Sequence, residues 1–167
     1  NIIAHSLGCR LTLETLKHIR AIREKEKQNY ALEIDKVVFM AGAVPVHYLK
    51  KTNHKDATED GDPNLSQALA SIKHSLNIYS PSDYVLRFAF PMGQTAAGER
   101  ILPIALGRRL WTEAATLNLP MQQAENKGGG HGDYWGSDGK NMSHKKNVAK
   151  LVREFLPPGR LFSRTAG

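Results

Sequence analysis

A continuous apolar run in the first half of the chain does most to limit the possible folds. The run is Val37-Val38-Phe39-Met40-Ala41-Gly42-Ala43, and Pro45 closes it. It is too short to cross a bilayer, which needs about 20 apolar residues. It also lacks the polar alternation of a strand that has one face in water. The run therefore predicts a strand of a parallel sheet that is buried on both faces and ends before Pro45.

The rest of the chain alternates between short apolar strands and amphipathic helices. Further strands are predicted at residues 2–4, at 75–79 and, weakly, at 121–124. Helices are predicted from residue 7 to about Lys27, from a cap at Asn64 to about Lys73, as a turn or two within 112–117, and from a cap at Ser143 to residue 156. This order predicts an α/β fold in which helices cover both sides of a parallel sheet. We expect a single domain over residues 1–156 and a loose tail at 157–167.

The composition suits a globular protein with a basic balance. Of the 167 residues, 41% are hydrophobic and 23% are charged, and the formal net charge is +7. The basic residues of the first helix are mixed with Glu24 and Glu26, and few aromatic residues accompany them, so we expect no nucleic-acid partner. No apolar run is long enough for an integral membrane segment. The single cysteine, Cys9, excludes an internal disulfide and a cysteine zinc site, and it is compatible with a reducing, cytoplasmic location.

A serine stands at the junction of the first strand and the first helix. The segment Ala4-His5-Ser6-Leu7-Gly8 differs from the nucleophile-elbow pattern Gly-x-Ser-x-Gly only in its first residue. In that turn the serine hydroxyl stands above the sheet at a helix N-terminus, and small residues on either side avoid clashes between strand and helix. The backbone N–H of Leu7 is then the first candidate for an oxyanion-hole donor. Small residues at such a junction also occur for packing alone.

An acidic residue follows the third predicted strand. Asp83 ends the loop Ser80-Pro81-Ser82-Asp83, and loops at this end of a parallel strand face ligand sites. The same loop has turn composition, so Asp83 also fits an ordinary turn. Glu59, Asp60 and Asp62 are rival acids, but they lie in a polar excursion away from a strand end. We therefore predict Asp83 as the group that orients a catalytic base.

A histidine follows the weak last strand. His131 comes after Gly128-Gly129-Gly130, whose flexibility lets a loop swing over the elbow, where a histidine accepts the serine proton. His144 is the rival base at the start of the final helix, whereas His5 is expected to pack beside the elbow. A divalent-metal site at His131, Asp133 and Asp138 is a weaker alternative, because no helix-spaced histidine pair supports it.

Three segments taken in order resemble the α/β-hydrolase superfamily, in particular esterase/lipase-like members of unassigned function. They are residues 1–10 (NIIAHSLGCR), 77–86 (NIYSPSDYVL) and 130–135 (GHGDYW), and the resemblance covers about residues 1–156. It implies Ser6 as nucleophile, Asp83 as acid and His131 as base. The implied reaction is hydrolysis of a small-molecule carboxylic ester or thioester through an acyl-enzyme, with no cofactor.

The start of the chain predicts a truncated domain. There is no initiator Met, and the first residues already look like the end of a buried strand, so we expect the C-terminal half of such a hydrolase. The earlier strands would supply a second oxyanion donor, and losing one donor lowers the rate by a factor of about 10²–10³. The chain alone is therefore expected to be weakly active or inactive. A non-catalytic interaction or binding module is the alternative, which a triad unable to close would favour.

The apolar side chains between residues 88 and 111 allow two interpretations. They could line a substrate pocket, or they could belong to the core, and apolar side chains are more often inside. We therefore expect core positions for Phe88, Phe90, Met92, Leu106, Leu110 and Trp111.

Overall fold

Four parallel strands form one sheet. The computed structural model describes residues 1–26, 34–50, 65–98, 102–135 and 142–156. The strands are β1 (Ile2–His5), β2 (Ile34–Met40), β3 (Ile72–Tyr79) and β4 (Met121–Glu125), and they lie in the order β1-β2-β3-β4. Every neighbouring pair is parallel. Together with the flanking helices, this sheet confirms the predicted α/β fold.

Helices connect the strands and follow the last one. They are α1 (Leu7–Glu26), α2 (Ser66–Ala70), α3 (Phe90–Ala96), α4 (Glu113–Thr116) and α5 (Met142–Phe155). A 3₁₀ turn at Val46–Leu49 follows β2, and a π-helical turn at Val85–Ala89 precedes α3. No helix in these described parts of the chain is long and apolar enough to span a bilayer.

Several predicted boundaries are wrong. The helix predicted to run to about Lys73 ends at Ala70, and the strand predicted to begin at residue 75 already begins at Ile72. The strand predicted to reach Ala43 ends at Met40, because Ala41 has a φ of 47°, which leaves the extended region of the backbone. The sequence predicts Ser143 as the cap of the last helix, but the helix begins at Met142 and includes Ser143 in its first turn. Helix ends are often displaced by a residue or two from the capping signal. The predicted cap at Asn64 and the predicted tail lie outside the described residues.

The sheet separates two cores, and β2 contributes to both. Val37 and Phe39 pack with buried residues of α1 and α2, whereas Val38 and Met40 pack with Leu86 and with Val148 of α5. Neighbouring side chains of a strand point to opposite faces, so a strand covered on both sides has to be apolar throughout. The apolar run therefore lies in the position that its composition predicts.

The segment between α3 and α4 runs alongside the loop after β2. Val46 N–H donates to Ile104 O at 2.9 Å, Leu106 N–H donates to Val44 O at 2.8 Å, and Gly107 N–H donates to Gly42 O at 2.9 Å. Gly107 O in turn accepts a hydrogen bond from Ser80 N–H at 2.9 Å. The segment therefore ties the carboxyl ends of β2 and β3 together.

The core prediction for residues 88–111 is only partly correct. Leu106 and Trp111 are buried, and Phe90 is partly buried against the core. Phe88, Met92 and Leu110 are exposed, so the prediction is wrong for these three. Apolar content alone does not show which face of a short helix or turn meets the sheet.

Candidate active site

Ser6 lies in the sharp turn between β1 and α1. Its φ is 52°, in the left-handed region that non-glycine residues rarely adopt. Ser6 N–H donates to Met40 O at 2.9 Å, and Ser6 O accepts hydrogen bonds from Cys9 N–H and Ala43 N–H, each at 3.1 Å. These three bonds hold the strained residue from both sides, which is the usual condition for such strain to persist.

The small residues beside Ser6 have different surroundings. Ala4 is buried in the core between α1 and the sheet. A β-carbon added to Gly8 would meet nothing within 4 Å, so the described residues do not require glycine there. The expectation that both positions must be small to avoid a clash is therefore supported by burial at Ala4 and not supported at Gly8.

Asp83 follows β3 and is fully buried. Its Oδ1 accepts a hydrogen bond from Leu86 N–H at 2.9 Å, and its Oδ2 lies 2.8 Å from Nδ1 of His131. Asp83 N–H donates to Ser80 O at 3.2 Å, which sets the turn that aims the carboxylate. A buried carboxylate needs such partners, because an unpaired charge away from water is costly. The rival acids at 59, 60 and 62 lie outside the described residues.

His131 joins the other two side chains. Its Nδ1 lies 2.8 Å from Asp83 Oδ2, its Nε2 lies 2.9 Å from Ser6 Oγ, and its side chain is 21% exposed. An ionised carboxylate only accepts hydrogen bonds, so Nδ1 carries the ring proton and Nε2 is free to accept the proton of Ser6. The structure thus brings the three predicted residues into one hydrogen-bonded line. His144 lies elsewhere, beside Gly128.

The loop that carries His131 is held by polar contacts. Asp133 Oδ2 accepts a hydrogen bond from Gly130 N–H at 2.8 Å, and the Ser80 hydroxyl donates to Gly129 O. A β-carbon on Gly129 would lie 2.3 Å from Asn126 Nδ2, so glycine is needed there for close packing. Flexibility is the predicted role of this glycine run, whereas the structure shows the loop anchored by Asp133 and glycine closely packed at position 129.

A metal centre finds no support in the described part of the chain. No group of three histidine, cysteine, aspartate or glutamate side chains there could hold an ion, and Asp138 lies outside it.

Cys9 is no rival nucleophile, because burial raises the pKa of its thiol to about 12 and leaves it protonated at neutral pH.

The surface beside Ser6 offers a donor and an apolar wall. Leu7 is the first residue of α1, so its backbone N–H has no acceptor within the helix, and the helix N-terminus carries partial positive charge. A groove of about 370 Å³ adjoins it, lined by Leu7, Gly8, Arg10, Leu11 and Glu14. The N-terminus of α1 next to Ser6 can therefore stabilise negative charge.

Sequence reasoning placed His5 near the elbow but missed its contact with the base. His5 Nε2 lies 3.0 Å from His131 O, and the two ring centroids are 5.1 Å apart. Burial lowers the pKa of His5, which disfavours its charged form. No local pattern signals a hydrogen bond between residues so far apart in the chain.

Comparison with protein-family models, with curated proteins and with solved structures found no match to this chain. Its function is therefore inferred from its own residues and their arrangement.

Proposed function

We propose that the chain carries the active site of a serine hydrolase of the α/β-hydrolase superfamily, acting on carboxylic ester or thioester bonds. The observation that carries the proposal is that His131 contacts both other residues of the site. Its Nε2 lies 2.9 Å from Ser6 Oγ, and its Nδ1 lies 2.8 Å from Asp83 Oδ2. A nucleophile, its base and an orienting acid need this arrangement. Their order along the chain (Ser, Asp, His) and the strand–turn–helix setting of the serine are those of hydrolases with a nucleophile elbow.

In the first half of the proposed reaction, Ser6 Oγ attacks the substrate carbonyl carbon and its proton moves to His131 Nε2. The carbonyl π electrons move onto oxygen, and the N–H of Leu7 faces the resulting oxyanion. Asp83 stays ionised and stabilises the imidazolium of His131. The bond to the leaving oxygen or sulfur then breaks, and His131 donates its proton to that atom.

In the second half, water repeats the attack on the acyl-enzyme. His131 accepts a proton from the water, whose oxygen bonds to the acyl carbon. The bond to Ser6 Oγ breaks, and His131 returns the proton to the serine. The products are a carboxylic acid and an alcohol or thiol, and the steps balance without a cofactor. The alternative, a non-catalytic binding module, does not call for a strained serine aligned with a base and a buried acid.

Fluorophosphonate labelling tests the proposal. In the full product of the gene, we expect wild type to be labelled, Ser6→Ala to be unlabelled, and Ser82→Ala, which removes an exposed serine beside the acid, to be labelled as wild type is. Asp83→Asn should slow labelling by a factor on the order of 10⁴, because an amide favours the wrong tautomer of His131.

The labelling is done on this chain and on the full product of its gene. Labelling that survives Ser6→Ala would contradict the assignment of the nucleophile. A folded full product that takes up no label would refute the hydrolase proposal and favour the binding module.

A further inference from the structure

His5 lies against the proposed triad without belonging to it. Its Nε2 faces the backbone carbonyl of His131 at 3.0 Å, not the serine hydroxyl. We infer that His5 is a positioning residue that holds the backbone of His131 in register with Ser6 through an Nε2–H···O=C hydrogen bond. This inference rests on the proposed function of the site.

The contact joins two neighbouring residues of the elbow to one residue of a distant loop. Ser6 Oγ meets the His131 ring at 2.9 Å, while His5 meets the His131 main chain at 3.0 Å. A carbonyl oxygen only accepts, so His5 Nε2 must carry the proton. The β1–α1 turn thus holds both the ring and the backbone of the base, and any shift of the loop would change both distances together.

Aromatic neighbours keep the His5 ring in place. Its centroid lies 5.6 Å from that of Tyr134 and 5.5 Å from that of Trp135, both in edge-to-face or near edge-to-face arrangements. Tyr134 is buried, so this end of the loop is anchored in the core. The contacts from Ser80 and Asp133 act on the backbone of Gly129 and Gly130, whereas the His5 contact acts on the backbone of His131.

The surroundings of His5 also favour its neutral form. The titratable groups that act on it are the His131 ring, which repels its positive charge, and Asp83, which attracts it. Burial is the larger influence and lowers its pKa, so His5 is neutral at neutral pH and does not oppose the imidazolium that forms on His131 during reaction.

Ring ¹⁵N spectra give a test that needs no substitution. We expect His5 as the Nε2–H tautomer and His131 as the Nδ1–H tautomer, in wild-type protein and in Ser6→Ala alike. An Nδ1–H tautomer for His5 would overturn the inference, since Nε2 would then present a lone pair to the carbonyl oxygen.

Two substitutions of equal length isolate the donor. His5→Gln keeps an N–H at the position of Nε2, whereas His5→Met removes it. We expect His5→Met to slow fluorophosphonate labelling about tenfold and to speed exchange of the His131 Nδ1 proton, and His5→Gln to stay within about threefold of wild type. Equal loss in both variants, or no loss in either, would overturn the inference.

Failure of the proposed function would look different. If the folded full product of the gene took up no label, the hydrolase proposal would fail. The His5 tautomer in wild-type protein, and a difference in His131 proton exchange between His5→Met and His5→Gln, would still report whether His5 positions the loop.

Discussion

The backbone of Ser6 is strained by its β-carbon. A left-handed residue with a side chain costs about 1–2 kcal/mol, and glycine avoids that cost. We therefore expect Ser6→Gly to be more stable than Ser6→Ala by up to about 1 kcal/mol, after the greater freedom of glycine in the unfolded chain is included. Urea unfolding measures the difference. At Ser71, where φ is −84°, the order should reverse and alanine should be the more stable.

The burial of His5 makes the stability depend on pH. Its pKa in the folded protein lies below the ordinary value of 6.5, so the unfolded chain binds more protons at acidic pH and stability rises with pH. The contribution of His5 to the free energy of unfolding is complete above about pH 6.5. It is lost as the pH falls through the pKa that His5 has in the folded protein. As the pH falls through this range, the free energy of unfolding should decrease less steeply in His5→Gln than in wild type. Identical slopes would contradict the burial effect.

At the scale of elements, the segment between α3 and α4 lies very close to the loop after β2, with a glycine on each side. A β-carbon on Gly107 would lie 2.2 Å from Gly42 N and 2.4 Å from the carbonyl carbon of Ala41. Both contacts are with backbone atoms, which cannot move aside without breaking the hydrogen bonds between the loop after β2 and the segment between α3 and α4. We expect Gly107→Ala to lower the free energy of unfolding by about 3 kcal/mol or more, measured by denaturant titration.

Gly93 provides a matched control for this substitution. It lies in α3, and an added β-carbon would meet nothing within 4 Å. Gly93→Ala should therefore raise stability by about 1 kcal/mol, because alanine favours the helix. A mild effect of Gly107→Ala would contradict the observed close approach.

At the scale of the whole molecule, one side of the sheet presents apolar side chains to solvent. Among the described strands, β1 pairs only with β2, and this β1 edge surface exposes Ile3 (45%), Leu7 (64%) and Leu11 (67%). Exposed sheet edges with apolar neighbours favour association between chains. We expect Leu11→Glu to raise the concentration at which sedimentation velocity detects self-association.

The control for this surface is Leu102→Glu. Leu102 is 66% exposed, like Leu11, but it lies on the segment that crosses the loop after β2. The same change of charge there should leave self-association as in wild type. Equal effects of the two substitutions would show that net charge, and not the β1 edge surface, controls association.

Features that neighbouring residues encode could be predicted from the amino-acid sequence alone. The unbroken apolar run of β2 required burial on two faces, and Ser6 stood where a strand met a helix. These are local periodicities and junctions, read within a few turns of chain. They were sufficient for the α/β fold and for choosing Ser6, Asp83 and His131 as candidates.

Which distant groups meet could be learned only from the three-dimensional fold. His131 lies 125 residues from Ser6 and 48 from Asp83, and no periodicity relates positions so far apart. The contact of His5 with the His131 carbonyl and the close approach at Gly107 are likewise absent from local pattern, as is the open space at Gly8. Such contacts depend on how the sheet and its crossing loops close in space, where the order and register of the strands set each distance.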